Sequence, residues 1–466
     1  MSSDAFATIA QLARALRARE VSAVELARLA LDRLARLGPT YNALAALTPE
    51  LALAQARRAD RWFRQGRLTS ILQGIPYGAK DLLATRGIPT RWGSPAHRRQ
   101  VFAYDATVVR RLAEAGAVLA GKLAMVELAG GGGYAYPSAS LHGPGLNPWN
   151  LRCWAGGSSS GSGSAVAAGL VPYALGSETW GSIVTPSAYC GITGLRPTWG
   201  LVSRFGAMEL AWTMDKIGPM ARTAEDCGWV LAAIAGPDPQ DPTTAGRFFQ
   251  FVPRVVRRPW RLGILPAEFT GAPALARAFD EAVRVLRRAG MRIAEARLPE
   301  HPYEQVARTL LNGEIAAAHQ EFIASKRLEA LVDREQKDGL RASLRLRAAD
   351  QVRAEQARWR IRRDVLALFE RFDALLSPSL MTEAVPLETN LKTTPRPRGN
   401  WSVLGALCGV PALSVPMGFG PQGLPLGLAV TGPLFGEATL LQIGMRFQRE
   451  TDWHQKRPPA PPGTSR

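Results

Sequence analysis

The stretch "VSAVELARLALDRLARL" (21–37) repeats apolar residues at helical spacing. Ser22 followed by Glu25 adds a capping box, so a helix is predicted to begin there. A second helical pattern runs from Pro49 to Gln65. From Gly74 the texture changes to short apolar runs broken by glycine and proline, which predicts strands and loops with helices between them, such as 106–115. "AGPDPQDPTTAG" (235–246) is a turn-rich break, after which "WRLGIL", a helix over Ala274–Ala289 and "MRIAEARLP" read as a β-α-β passage. Arg/Glu/Ala-rich helices fill about 303–371, and "FDALLSPSL", "PALSVPMGF" and "LGLAVTG" return to strand character. Late apolar strands tend to rejoin a sheet begun early, so one domain over 1–455 is expected. Within it lie N-terminal helices (8–66), a Gly-rich core (74–235), a variable helical region (about 250–371) and C-terminal strands with a helix (372–455). The tail 456–466 is expected to be disordered.

Composition narrows the class. The chain has 466 residues, 46% of them hydrophobic, and no run approaches roughly 18 consecutive apolar residues, so a membrane span is not expected. No basic-then-apolar leader opens the chain, and four widely spaced cysteines show neither a metal-ligand spacing nor a disulfide framework. A reducing, cytoplasmic location is the expectation. Net charge is +18, yet only seven of the 57 basic residues are lysines, and the arginines scatter along helices as on solvated faces. Nucleic acid is therefore not an expected partner, although the runs at 254–258 and 341–347 keep that reading open.

Candidate chemistry gathers in three places. "GGSSSGSGSAVAAGL" (156–170) combines small residues with a helical continuation, offering free N–H groups for an oxyanion or phosphate; no G-K-[ST] follows, which excludes a Walker loop. Residues 157–161 also fit G-x-S-x-G, but "LNPWNLRCWA" before them shows no clean strand. A histidine partner would have to be His301, His319 or His454. Lysine is the other candidate base: Lys80 in "GIPYGAKDLL" has almost uncharged surroundings, and burial would drive it toward the neutral form. On local sequence it reads equally well as an ion-pair partner of Asp81.

Taken in order, "GIPYGAKD", "GGSSSGSGS" and "GSETWGSI" resemble the amidase signature family of Ser-cis-Ser-Lys hydrolases, and "PSAYCGITGLRPTWGLVSRFGA", "MDKIGPMART" and "GVPALSVPMGF" extend the resemblance. It is strongest over 74–235 and thin over 250–370. The resemblance implies an α/β/α fold with a large mixed central sheet covered by helices. It implies Lys80 as catalytic lysine, Ser158 as bridging serine and Ser182, 24 residues further on, as nucleophile. An oxyanion hole of Thr179, Trp180, Gly181 and Ser182 and substrate contacts at Ala129 and Gly130 follow by position. No cofactor or metal is implied.

The activity implied is hydrolysis of a linear carboxamide. The alternatives are the glutaminase (A) subunit of a tRNA-dependent amidotransferase, which would bring partner subunits and tRNA, and a silent binding homologue. Homodimerisation is left open. Four departures stand out: Trp180 where the family has glycine, Glu178 for aspartate, Ser160 for glycine, and Ala406 for asparagine. If position 180 required a positive φ, tryptophan would be strained there. Arg196 and Asp215 read as structural anchors, and Met208, Trp212 and Met214 as core or pocket residues.

Overall fold

The computed structural model describes residues 4–267, 269, 272–394 and 399–460. Thirteen strands are formed among them: β1 (Leu44–Leu47), β2 (Pro76–Lys80), β3 (Val118–Leu123), β4 (Leu146–Asn147), β5 (Asn150–Trp154), β6 (Tyr173–Glu178), β7 (Thr193–Arg196), β8 (Lys216–Ala221), β9 (Arg261–Ile264), β10 (Arg292–Glu295), β11 (Ala374–Pro378), β12 (Ala412–Phe419) and β13 (Pro425–Thr431). Eleven make one mixed sheet, ordered β1-β3-β2-β6-β8-β7-β12-β13-β11-β9-β10, while β4 and β5 form a separate hairpin. The C-terminal strands therefore do rejoin the early ones: β12 pairs antiparallel with β7, Leu413 opposite Leu195. The β-α-β passage adds β9 and β10 in parallel at the far edge.

Helices cover both faces. Strand residues alternate sides, so Tyr77, Ala79, Tyr173 and Leu175 join the larger core, while Ala120, Ala174 and Met220 face the smaller one. Across the β2/β6 pair, Tyr77 and Tyr173 stack with ring centroids 5.4 Å apart. The two-sided apolar pattern explains why the central strands read as near-continuous hydrophobic runs rather than alternating ones. Helix Ala23–Leu37 opens with the expected Ser22/Glu25 capping box, and Pro49–Arg64, Thr107–Glu114 and Pro273–Arg288 fall where periodicity placed them.

All four cysteines are free and buried. Arginines of the helical region pair along their own helices, Arg308 with Glu304 and Arg347 with Asp350. No described helix is long and apolar enough to cross a membrane. Of the expected tail, 461–466 lies outside the described residues; Arg222 donates to the Lys456 carbonyl and Arg457 pairs with Asp4.

Two short helices on the smaller-core face, Ser160–Ala167 and Val184–Cys190, carry the segments with the candidate serines. The first lies so close to the sheet that a Cβ on Gly161 would stand 2.4 Å from the Ala43 carbonyl oxygen and 2.6 Å from the Ala124 nitrogen. Both are backbone atoms and neither can swing away. Gly161→Ala is expected to destabilise the fold by about 1–3 kcal/mol, the usual cost of overpacking. An unshifted melting temperature would show that the helix can lift off the sheet freely.

Candidate active site

β2 and β6 run parallel and adjacent, so their carboxyl ends meet, the position at which open α/β sheets place ligands. Lys80 closes β2, with Nζ 2.7 Å from Ser158 Oγ, 3.0 Å from Ser177 Oγ and 3.3 Å from the Ser177 carbonyl oxygen. The alternative partner, Asp81, points elsewhere: Oδ1 lies 3.3 Å from Lys122 Nζ and Oδ2 accepts the Arg91 N–H. The ion-pair reading of Lys80 is thereby corrected. One step along an extended chain reverses the side chain, so neighbours in sequence face different partners. Burial lowers the Lys80 pKa from 10.5 to about 7, against the opposing pull of Asp215 and Glu178.

The three consecutive serines separate by role in the packing. Ser158 follows a cis Gly157–Ser158 bond and faces Lys80, while its carbonyl accepts the Val126 N–H. Ser159 donates its hydroxyl to the Ser177 carbonyl and its N–H to the Ser182 carbonyl. Ser160 is buried as the first residue of its helix. A strand does precede this segment, contrary to expectation, but β5 pairs with β4, bridges Pro386 through Cys153, and lies outside the central sheet that a nucleophile elbow requires. His301 is bonded to Asp364, and none of His301, His319 and His454 lines the cavity described below.

The turn 179–182 is fastened by three charged side chains, Glu178, Asp215 and Lys216. Glu178 Oε2 accepts the N–H groups of Ile183 (2.8 Å) and Val184 (2.9 Å), while Oε1 pairs with Arg196 Nη1 at 2.7 Å. Burial by itself would raise the Glu178 pKa; Arg196, Lys216 and the Val184 N–H outweigh it, and the carboxyl is held below its ordinary value. Asp215 accepts Thr179 Oγ1 at 2.5 Å together with the N–H groups of Leu210 and Ala211. Lys216, which nothing in the sequence singled out, donates to the carbonyls of Thr179 and Gly405. The left-handed residue of the turn is Gly181, at φ 88°, so Trp180 avoids the strain that a positive φ would bring. Among the described residues, the N–H groups of Trp180, Gly181 and Ser182 meet no acceptor in the chain.

A cavity of about 870 Å³ opens against this turn, lined by Thr179 to Ser182 and, across from them, by Ala129 and Gly130. Lys80 and Ser158 are buried and do not line it. Leu128, Ala129 and Gly130 are all left-handed, at φ 46°, 52° and 89°. For the two non-glycine residues this costs of order 1–3 kcal/mol each and persists only where the surroundings impose it. The N–H groups of Leu128 and Ala129 donate to the Trp92 and Val126 carbonyls, and Glu127 and Asp333 fasten the flanking chain. Glu127, whose pKa burial pushes up to about 7 against the Asp333 and Val332 N–H groups, accepts both those donors; Asp333 accepts the N–H groups of Ala135 and Tyr136. Met208 and Trp212 line a smaller adjoining cavity of about 160 Å³ that also reaches Ser177 and Lys216, whereas Met214 is core.

The sequence pattern of the family described as Amidase matches residues 25–441. The A subunit of the glutamyl-tRNA(Gln) amidotransferase of Azotobacter vinelandii is 37% identical over 482 aligned positions, covering 97% of this chain and 99% of that protein. The solved peptide amidase from Stenotrophomonas maltophilia superposes with a TM-score of 0.86 at 31% identity, covering 98% of each chain. The A subunit of the glutamyl-tRNA(Gln) amidotransferase from Thermotoga maritima does so with a TM-score of 0.81 at 28% identity, covering 96% of each.

Glu178→Gln tests the anchoring of the turn. The change leaves Arg196 buried without its counter-charge, an imbalance that typically costs about 3–5 kcal/mol. The midpoint of urea unfolding is expected to fall accordingly. A midpoint equal to that of the wild type would remove Glu178 from the support of the turn.

Proposed function

Because this chain belongs to the amidase family, we propose that it hydrolyses a carboxamide by acyl transfer to Ser182, with Lys80 and Ser158 relaying the proton. The observation that carries this reading is the 2.7 Å contact between Lys80 Nζ and Ser158 Oγ beneath a cavity that Ser182 lines. Lysine is neutral above its pKa, and at about 7 the amine is available as an acceptor near neutrality. It takes a proton from Ser158, which takes one from Ser182, and Ser182 Oγ attacks the amide carbon. Ser182 Oγ makes no hydrogen bond among the described residues, and the relay requires it to be brought to Ser158 Oγ for the transfer.

The developing oxyanion is received by the turn Thr179, Trp180, Gly181 and Ser182, whose last three N–H groups are free for it. One such donor is typically worth about 2.7–4 kcal/mol of barrier. Ser158 then protonates the leaving nitrogen, and water entering by the same relay releases the acid. Ala129 and Gly130 present their left-handed backbone as the facing wall for substrate.

Two settings fit this chemistry. Full-length similarity to amidotransferase A subunits favours a glutaminase that supplies ammonia to partner subunits. The second setting is an amidase acting alone on linear amides. It is favoured by the equally complete match to a peptide amidase and by a cavity large beside a glutamine side chain. A panel of amides including glutamine and asparagine, run on the isolated chain and in the presence of candidate partner subunits, separates the two.

Three outcomes are expected. A fluorophosphonate labels the wild type at Ser182 and leaves Ser182→Ala unlabelled; an unlabelled wild type, inert across the panel, would sink the hydrolase reading. Lys80→Met lowers the acylation rate by orders of magnitude with an unchanged circular dichroism spectrum, and near-normal turnover would remove Lys80 from the relay. Because the neutral amine is the active form, kcat/KM rises as pH increases through about 7 and then levels. A profile that declines over that interval contradicts a lysine base.

A further inference from the structure

Five aromatic side chains, Tyr134, Trp154, Trp180, Tyr189 and Trp401, line the cavity into which Ser182 faces. Trp180 belongs to the turn itself and packs against the cluster that contains Tyr303, Val306 and Leu310. Helix Tyr303–Ala324 supplies the adjoining wall through Glu304, Arg308, Leu311 and Ile315, spaced three or four apart and therefore on one side of the helix. The Arg308 guanidinium lies over the Trp180 ring, 5.5 Å from its centroid, and Glu304 accepts Arg308 Nε at 2.9 Å.

The charges on this wall are spoken for. Among the described residues, each basic side chain lining the cavity already has an acidic partner: Arg196 with Glu178, Arg308 with Glu304, and Lys392 with Glu335. A zwitterionic amino acid would bring a carboxylate and an ammonium into a space with no uncommitted counter-charge for either, and would lose hydration at both ends. A flat apolar group instead meets aromatic faces and aliphatic side chains, and gains from burial and ring packing. The volume of about 870 Å³ suits a ligand much larger than a small aliphatic amide.

We infer that the site selects carboxamides bearing an uncharged aromatic group, seated against the part of the Trp180 side chain that lines the cavity, with Trp180 as the specificity-determining residue and Arg308 holding its ring in place. The inference rests on the Ser182 acyl-enzyme reading and sides with the amidase that acts alone. Trp180 thus does a second job at the turn: its backbone faces the reacting carbonyl while its side chain reads the remote end of the substrate.

The test compares kcat/KM for 3-phenylpropanamide, propanamide and glutamine in the wild type, Trp180→Ala and Arg308→Ala. The wild type is expected to prefer 3-phenylpropanamide over both others. In Trp180→Ala the ratio of 3-phenylpropanamide to propanamide should fall about tenfold, chiefly through KM. Arg308→Ala, which removes the guanidinium stacked on the Trp180 ring but keeps the turn's own residues, should lower the same ratio about threefold. Preference for glutamine, or a fall of equal size for both amides, overturns the inference. If no amide is turned over and Ser182 takes no label, the acyl-enzyme reading has failed instead. Calorimetry of 3-phenylpropanamide on Ser182→Ala, with and without Trp180→Ala, then decides the pocket by itself: weaker binding in the double variant upholds it, and equal or absent binding overturns it.

Discussion

The geometry at the end of β6 depends on one carboxylate taken wholly out of water. Glu178 is buried beside Arg196, and ionisation there is tolerable only because the guanidinium and two backbone N–H groups surround it. Those partners come from different parts of the chain: Arg196 from the end of β7, the N–H groups from the start of the next helix. Satisfying all of them forces the chain to leave the strand, reverse within four residues and enter the helix at a fixed point. The N–H groups of residues 180–182, between strand and helix, are left without an acceptor among the described residues as a by-product of that closure. An electrostatic requirement thus sets the shape of the turn, and the side chain at position 180 is free to vary because the left-handed step falls on Gly181.

Three buried lysines of the central sheet show how surroundings divide one residue type into different tasks. Lys122 has a carboxylate, Asp81, and serves as half of an ion pair. Lys216 faces carbonyl oxygens, which can only accept and therefore favour an ammonium that ties strands to turn. Lys80 contacts two hydroxyls, which can donate as readily as they accept, so the amine has partners in either protonation state. Lys80 and Lys216 are both brought to about 7 by burial, yet only the first bonds serine hydroxyls. A shifted pKa alone would not have told them apart.

Much of the fold was legible because its signals are local. Capping at Ser22, helical periodicity over Pro49–Arg64 and Pro273–Arg288, and apolar runs in β11 to β13 each follow from neighbours in sequence. The hairpin strand β5 was missed because Asn150, Arg152 and Trp154 give no clean alternation, and because its partners are a two-residue strand and a distant loop at 385–387. At the site, the grouping of Lys80, Ser158 and Ser182 was suggested by motif order, whereas their supports were not. Ser177 sits one residue from Glu178 in the same segment as the candidate nucleophile, but its contact with Lys80 depends on the register between β2 and β6. Glu127 and Asp333 are 206 residues apart, and no sequence pattern links them.

That last contact has a consequence for how such proteins can diverge. The loop bearing Ala129 and Gly130 belongs to the Gly-rich stretch 74–235, while Val332 and Asp333 belong to the helical region that follows it. A helical segment grafted from a relative would arrive with its own backbone path, and any path that fails to offer Glu127 two donors strands a carboxylate in apolar surroundings. The loop, deprived of its imposed left-handed conformation, would relax away from the cavity. Interchange of the helical region is therefore permitted only as a matched set, loop and helix together, which makes the clamp a joint at which recombination is filtered.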